Sequence, residues 1–103
     1  MLQNEECFSA TDNFLGALKG HPAVTLMGTA SGGGSGRMAD YTLPNSRLKL
    51  TLCQMASFAT TGLTYDGYGV PPDVVVEPKL SDHMEGTSDS LLEAATDLLL
   101  NAK

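Results

Sequence analysis

Between Gly28 and Gly36 five of nine residues are glycine. Such a stretch holds neither a helix nor an inner strand, because each glycine loses the most backbone entropy on ordering and packs no side chain in return. The chain is therefore divided at a loop. The residues before it have room for little more than a short strand, a helix and a second strand; those after it must find their own pairing. Gly28 to Ser35 matches the G-x-x-x-x-G spacing of a phosphate-binding loop, but the lysine of that motif is replaced by Gly34. The next residues, Arg37-Met-Ala-Asp-Tyr, have a strand pattern where a phosphate loop opens a helix. The segment is read as a turn, or as a loop whose amides line a cleft.

The flanking elements are set by local pattern. Ser9 to Lys19 predicts a helix: Ser9 or Thr11 caps it, Asp12 sits in its first turn, and Phe14, Leu15 and Leu18 form an apolar stripe. Gly20 and Pro22 end it. Ala23 to Met27 reads as a buried strand, parallel to one before the helix. Arg37 to Leu43 and Arg47 to Gln54 read as a hairpin turning at Pro44-Asn45-Ser46. In its second strand Leu48, Leu50 and Leu52 make one dry face. Val74 to Val76 predicts a brief strand, and residues 79–89 a polar linker. Ser90-Leu-Leu-Glu93 has capping-box spacing and opens a closing helix to residue 101, buried through Leu91, Leu92, Ala95, Leu98 and Leu99. The order strand, helix, strand, hairpin, strand, helix is that of an α/β domain with a mixed sheet. A length of 103 residues allows one such domain.

Charge and composition exclude several functions. Twelve acids against six scattered bases leave a net charge of −6, which argues against a nucleic-acid or anionic-membrane partner. No apolar run approaches the roughly 18–20 residues needed to span a bilayer. Cys7 and Cys53 are too few for a disulfide framework or a Cys-rich zinc site; both are read as small buried hydrophobes, with one bridge between them left open. No metal-ligand spacing is present, and no cofactor is expected.

Ser9 is the residue with the most chemistry in prospect. It stands where a strand end meets a helix start, near the positive end of the helix dipole, and the Ala10 amide beside it is free to donate to an anion. Those are two parts of an acyl-transfer site. A serine at that position is more commonly a cap, and the G-x-S-x-G elbow is not matched. His21 in a turn and His83 in the polar linker read as surface residues. Asp66 and Asp73 flank a Gly-containing turn, where aspartates often serve the backbone.

Four blocks in order carry a resemblance: Asn4-Glu-Glu-Cys-Phe-Ser-Ala-Thr-Asp12, Val24-Thr-Leu-Met-Gly28 with its loop, Leu43-Pro-Asn-Ser-Arg-Leu-Lys-Leu50, and Tyr65-Asp-Gly-Tyr-Gly-Val-Pro-Pro-Asp-Val-Val-Val76. Together they resemble the tail-specific, or C-terminal processing, serine peptidases. The resemblance implies a crotonase-like, or Clp-protease-like, α/β core, of which residues 1–103 would be the C-terminal part. It implies Ser9 as nucleophile, the Ala10 amide as an oxyanion donor, and a peptide or unfolded protein as substrate.

The lysine-dependent members carry their base in the Gly-rich loop, at the position of Gly34, and Arg37 does not replace it because a guanidinium stays protonated. The chain thus looks closer to the tricorn-like and retinoid-binding-protein-like branch. There an upstream histidine is the base, and an acid at the position of Asp66 assists it. The expected activity is that of a serine endopeptidase in the parent chain, with residues 1–103 inactive alone. The rival is a peptide- or ligand-binding module on the same fold. Removal of preceding strands is expected to expose a sheet edge and an apolar face at Phe8, Phe14 and Leu26, inviting a homodimer.

Overall fold

A computed structural model describes residues 1–84 and 89–101. Leu2–Gln3 (β1) is followed by the helix Ala10–Leu18 (α1) and by Met27–Gly28 (β2). The hairpin Met38–Thr42 (β3) and Lys49–Cys53 (β4) comes next, then Val74–Val75 (β5) and two helices, Leu80–Met84 (α2) and Ser90–Asn101 (α3). Parallel and antiparallel pairings lie in two sheets. One is a three-stranded parallel sheet in the order β1-β2-β5, with Leu2 opposite Met27 and Met27 opposite Val74. The other is the hairpin, with Tyr41 opposite Leu50 and Ala39 opposite Leu52.

The helix α1 forms where its pattern predicts, and Leu15 is buried at 1% exposure, whereas Phe14 is 56% exposed. Leu15 meets Leu26, Tyr65 and Val70 in one small core, with Cys7, Val24 and Ala59 packed around it. At about 1.5–3 kcal/mol for each fully buried large side chain, these residues anchor α1 to the sheet and to the 65–70 turn. Leu26 belongs to this core at 0% exposure, so it is not on an open face with Phe8 and Phe14.

The second strand is shorter and later than its apolar run predicts, and it takes in Gly28, so the Gly-rich stretch read as all loop gives its first residue to the central strand. The Leu26 amide donates to Asp73 Oδ2 at 2.8 Å, while its carbonyl accepts from the Asp73 and Val74 amides at 2.7 and 3.0 Å. A carboxylate therefore takes the place of a ladder partner, and regular pairing starts only at Met27. Lys19, at the C-cap of α1, reaches the other oxygen of Asp73 at 2.5 Å. One side chain thus joins the end of α1, the entry to β2 and the entry to β5.

The hairpin keeps its predicted alternation, yet its dry face is not covered among the described residues: Leu48, Leu50 and Leu52 are 62%, 41% and 52% exposed. Leu80–Met84 is helical, where a polar linker is predicted, and 85–88 of that linker lie outside the described residues. The cap of α3 is Asp89, whose Oδ1 accepts from the Leu92 amide at 2.9 Å; Ser90 instead donates to Asp82. Aspartate one residue earlier satisfies the first-turn donors, which frees Ser90 from the box. Leu91 and Ala95 are half-buried as α3 packs on β1 and β2, but Leu92, Leu98 and Leu99, also expected on the buried face, are exposed.

Candidate active site

After β1 the chain turns tightly, the Cys7 amide donating to the Asn4 carbonyl at 3.0 Å, and then enters α1 through Ser9. Ser9 stands at the N-cap position with φ +60° and ψ −116° and makes no side-chain cap bond. The predicted capping role is therefore not taken up. A non-glycine residue with positive φ costs about 1–3 kcal/mol unless the surroundings impose it. Geometrically this is a strained strand-to-helix elbow, reached without the G-x-S-x-G motif. The serine is exposed, and its hydroxyl has no partner among the described residues. The Ala10 amide, first in the helix, has no acceptor within it.

Ser9 lines a cleft of about 770 Å³ with Phe8, Met38, Cys53, Met55, Ala56 and Asp66, over a floor from Gly33, Gly34 and Gly36. The Gly-rich loop contributes shape here, and its amides are spoken for. Gly32 donates to the Cys7 carbonyl at 2.8 Å, Gly33 and Gly34 to the carboxylate of Asp12 at 3.0 and 2.9 Å, and Ser35 to Asp66 at 3.3 Å. The loop lines the cleft at Gly33, Gly34 and Gly36, as one of its two readings has it, but the amides at these four positions are already engaged within the chain. A phosphate would also have to displace the chain's own carboxylates.

Asp66 binds this loop to the segment after the hairpin. Its Oδ1 accepts from the Ser35 hydroxyl and its Oδ2 from the Ser57 amide at 2.8 Å. The Ser35 hydroxyl first, and the Ser57 amide next, hold the Asp66 carboxyl below the usual aspartate range. Asp66 and Ser9 thus share one cleft. Neither histidine joins them: His21 is exposed and accepts from the Ala23 amide, and His83 is exposed on α2.

Cys7 and Cys53 are both free. Cys53 is exposed in the cleft wall, contrary to the buried reading, because β4 has no covering layer on either side among the described residues. Asp12 is the site residue that local reasoning passes over. Its helix-start position is evident in sequence, but its bonds run to residues 19 to 22 positions away.

Comparison with known proteins places the chain in a family and a fold. The model of Peptidase family S41 matches residues 1–76. A carboxy-terminal-processing protease of Bartonella bacilliformis is 33% identical over 95 residues, 91% of this chain and 21% of that protein. Among solved structures, one from Parabacteroides merdae assigned as a peptidase superposes at TM-score 0.84 with 32% identity, over 99% of this chain and 31% of that one. The tricorn protease superposes at TM-score 0.75 with 29% identity, over 96% of this chain and 10% of its own. The chain thus spans about a fifth to a third of the first relatives it matches.

The fold is an α/β core shared with these peptidase structures. The chain belongs to Peptidase family S41.

Proposed function

We propose that the protein is a serine endopeptidase of the C-terminal processing type, with Ser9 as its nucleophile. The observation that carries this is the strained, exposed and uncapped Ser9 at the mouth of α1, lining a cleft of about 770 Å³. In this reading the Ser9 hydroxyl attacks a peptide carbonyl and loses its proton to a base, and the Ala10 amide supports the oxyanion. The amine then leaves with a proton, and water hydrolyses the acyl-enzyme. The lining of the cleft contains no Lys or His among the described residues. The base is accordingly a side chain brought from elsewhere in the protein, and a histidine has the suitable ordinary pKa. Asp66, ionised and with lone pairs to spare beyond its bonds to Ser35 and Ser57, orients that base. Carbon and sulfur from Phe8, Met38, Cys53 and Met55 suit an apolar stretch of peptide or unfolded protein.

A fluorophosphonate probe on the full protein tests the reading. Labelling is expected at Ser9, and Ser9→Ala is expected to abolish both labelling and peptide hydrolysis. Labelling that survives Ser9→Ala overturns it. Peptide binding without turnover or labelling favours the rival, a binding module on the same core. Association of two copies belongs to the same reading, and light scattering that returns the monomer mass counts against it.

A further inference from the structure

The carboxylate of Asp12 is fully buried, at 0% exposure, one turn into α1 from Ser9. Its Oδ1 accepts from the Ser31 hydroxyl at 2.6 Å and the Gly33 amide at 3.0 Å, and its Oδ2 from the Gly34 amide at 2.9 Å. An aspartate that only favoured the helix dipole would do so from the surface, without the desolvation cost of burial. This one is buried where three donors offset that cost. The neighbouring Gly32 amide holds the Cys7 carbonyl at 2.8 Å. Three consecutive loop amides, those of Gly32, Gly33 and Gly34, therefore grip the chain at residues 7 and 12, on either side of Ser9. The grip is itself anchored, since the Ser31 hydroxyl oxygen accepts from the Val70 amide at 2.7 Å and the Gly33 carbonyl from the Gly67 amide at 2.6 Å.

A positive φ at a serine relaxes unless its flanks are pinned, and here both flanks are pinned by the same loop. We propose that Asp12 is a positioning residue of the active site: by holding the Gly33 and Gly34 amides it keeps Ser9 in its strained elbow, with the nucleophile over the cleft. The proposal rests on the peptidase reading of Ser9.

The test is the rate of fluorophosphonate labelling at Ser9 in the full protein, normalised to the folded fraction. Asp12→Asn keeps the size of the side chain but turns an NH2 toward a backbone N–H. It is expected to lower the maximal labelling rate about 10–100-fold, with the half-saturating probe concentration within about threefold of wild type. Ser31→Ala, which removes one of the three donors, is expected to lower it about 3–10-fold. Asn13→Ala is the stability control: Asn13 accepts from Ser57 and Tyr65 hydroxyls and does not touch the loop. It is expected to label at the wild-type rate per folded molecule. Wild-type rates in both Asp12→Asn and Ser31→Ala overturn the proposal, and if Asp12→Asn does not fold, Ser31→Ala decides alone. A wild-type protein that is not labelled at Ser9 overturns the peptidase reading and this proposal together. Labelled wild type with indifferent variants overturns the proposal only.

Discussion

The ring of Phe8 lies over Gly34: a Cβ added at Gly34 would fall 1.8 Å from Phe8 Cζ and 2.2 Å from Cε2. The residue before the elbow thus fills the space that a side chain at position 34 would need. Glycine at position 34 and the ring above it form one packing unit.

Gly34→Ala is accordingly expected to push the ring off the loop. Phe8 is 56% exposed and can swing outward, so the cost should be about 1–2 kcal/mol, in the range of lost surface packing. In the Phe8→Ala background the same substitution should cost less by at least about 0.5 kcal/mol. Denaturant unfolding of the four proteins in the double-mutant cycle checks this, and strict additivity would show that the ring and the glycine are independent.

Gly69 and Gly62 share a positive φ, +77° and +83°, but differ in surroundings. A Cβ at Gly69 would meet the Ser31 carbonyl oxygen at 1.8 Å, a backbone atom held within the Asp12 network, whereas at Gly62 nothing lies within 4 Å. Gly62→Ala should cost about 1–2 kcal/mol from backbone strain alone. Gly69→Ala should cost more than about 3 kcal/mol, because the backbone clash adds to that strain. Thermal unfolding of the two variants side by side gives the comparison.

Acid should weaken the fold through Asp73 and Asp66. The Leu26 amide, and then Lys19, hold the Asp73 carboxyl below its ordinary range, as the Ser35 hydroxyl and Ser57 amide do for Asp66. The native state therefore binds these protons less tightly than the unfolded chain. Their contribution is complete above about pH 4 and is lost as pH falls from there through the native pKa values. The urea midpoint should decline over that window, and Asp73→Asn should flatten the decline while lowering stability at neutral pH.

Thiol reagents should separate the two cysteines. Cys53 is exposed in the cleft wall, while Cys7 is half-buried against the core. Alkylation under native conditions, followed by peptide mapping, should modify Cys53 faster by at least about 10-fold. Equal rates would mean that the segment from Asn4 to Cys7 opens readily.

Helix α1 and the β3–β4 hairpin were legible because their signals are local: an apolar stripe with a glycine stop, and two alternating runs about a Pro-Asn-Ser turn. The resemblance pointed to Ser9 and Asp66, and these two do line one cleft. The start of β2 was not legible, since whether Leu26 pairs with a strand or with a carboxylate depends on Asp73, 47 residues away. The cap of α3 was misplaced by one residue for a different reason: Asp89 and Ser90 are both good caps, and only the bond from Ser90 to Asp82 separates them.

Ser9 shows where the line falls. Adjacent residues were enough to put a serine at the first turn of a helix after a strand. They could not say whether its hydroxyl would turn back to cap that helix or outward over a cleft. In the tertiary structure the Cys7 carbonyl and the Asp12 carboxylate, on either side of Ser9, are held by three glycine amides of a loop about 20 residues further along the chain. Backbone periodicity is written by neighbours in the chain, whereas the conformation of a strained residue is imposed by whatever closes around it.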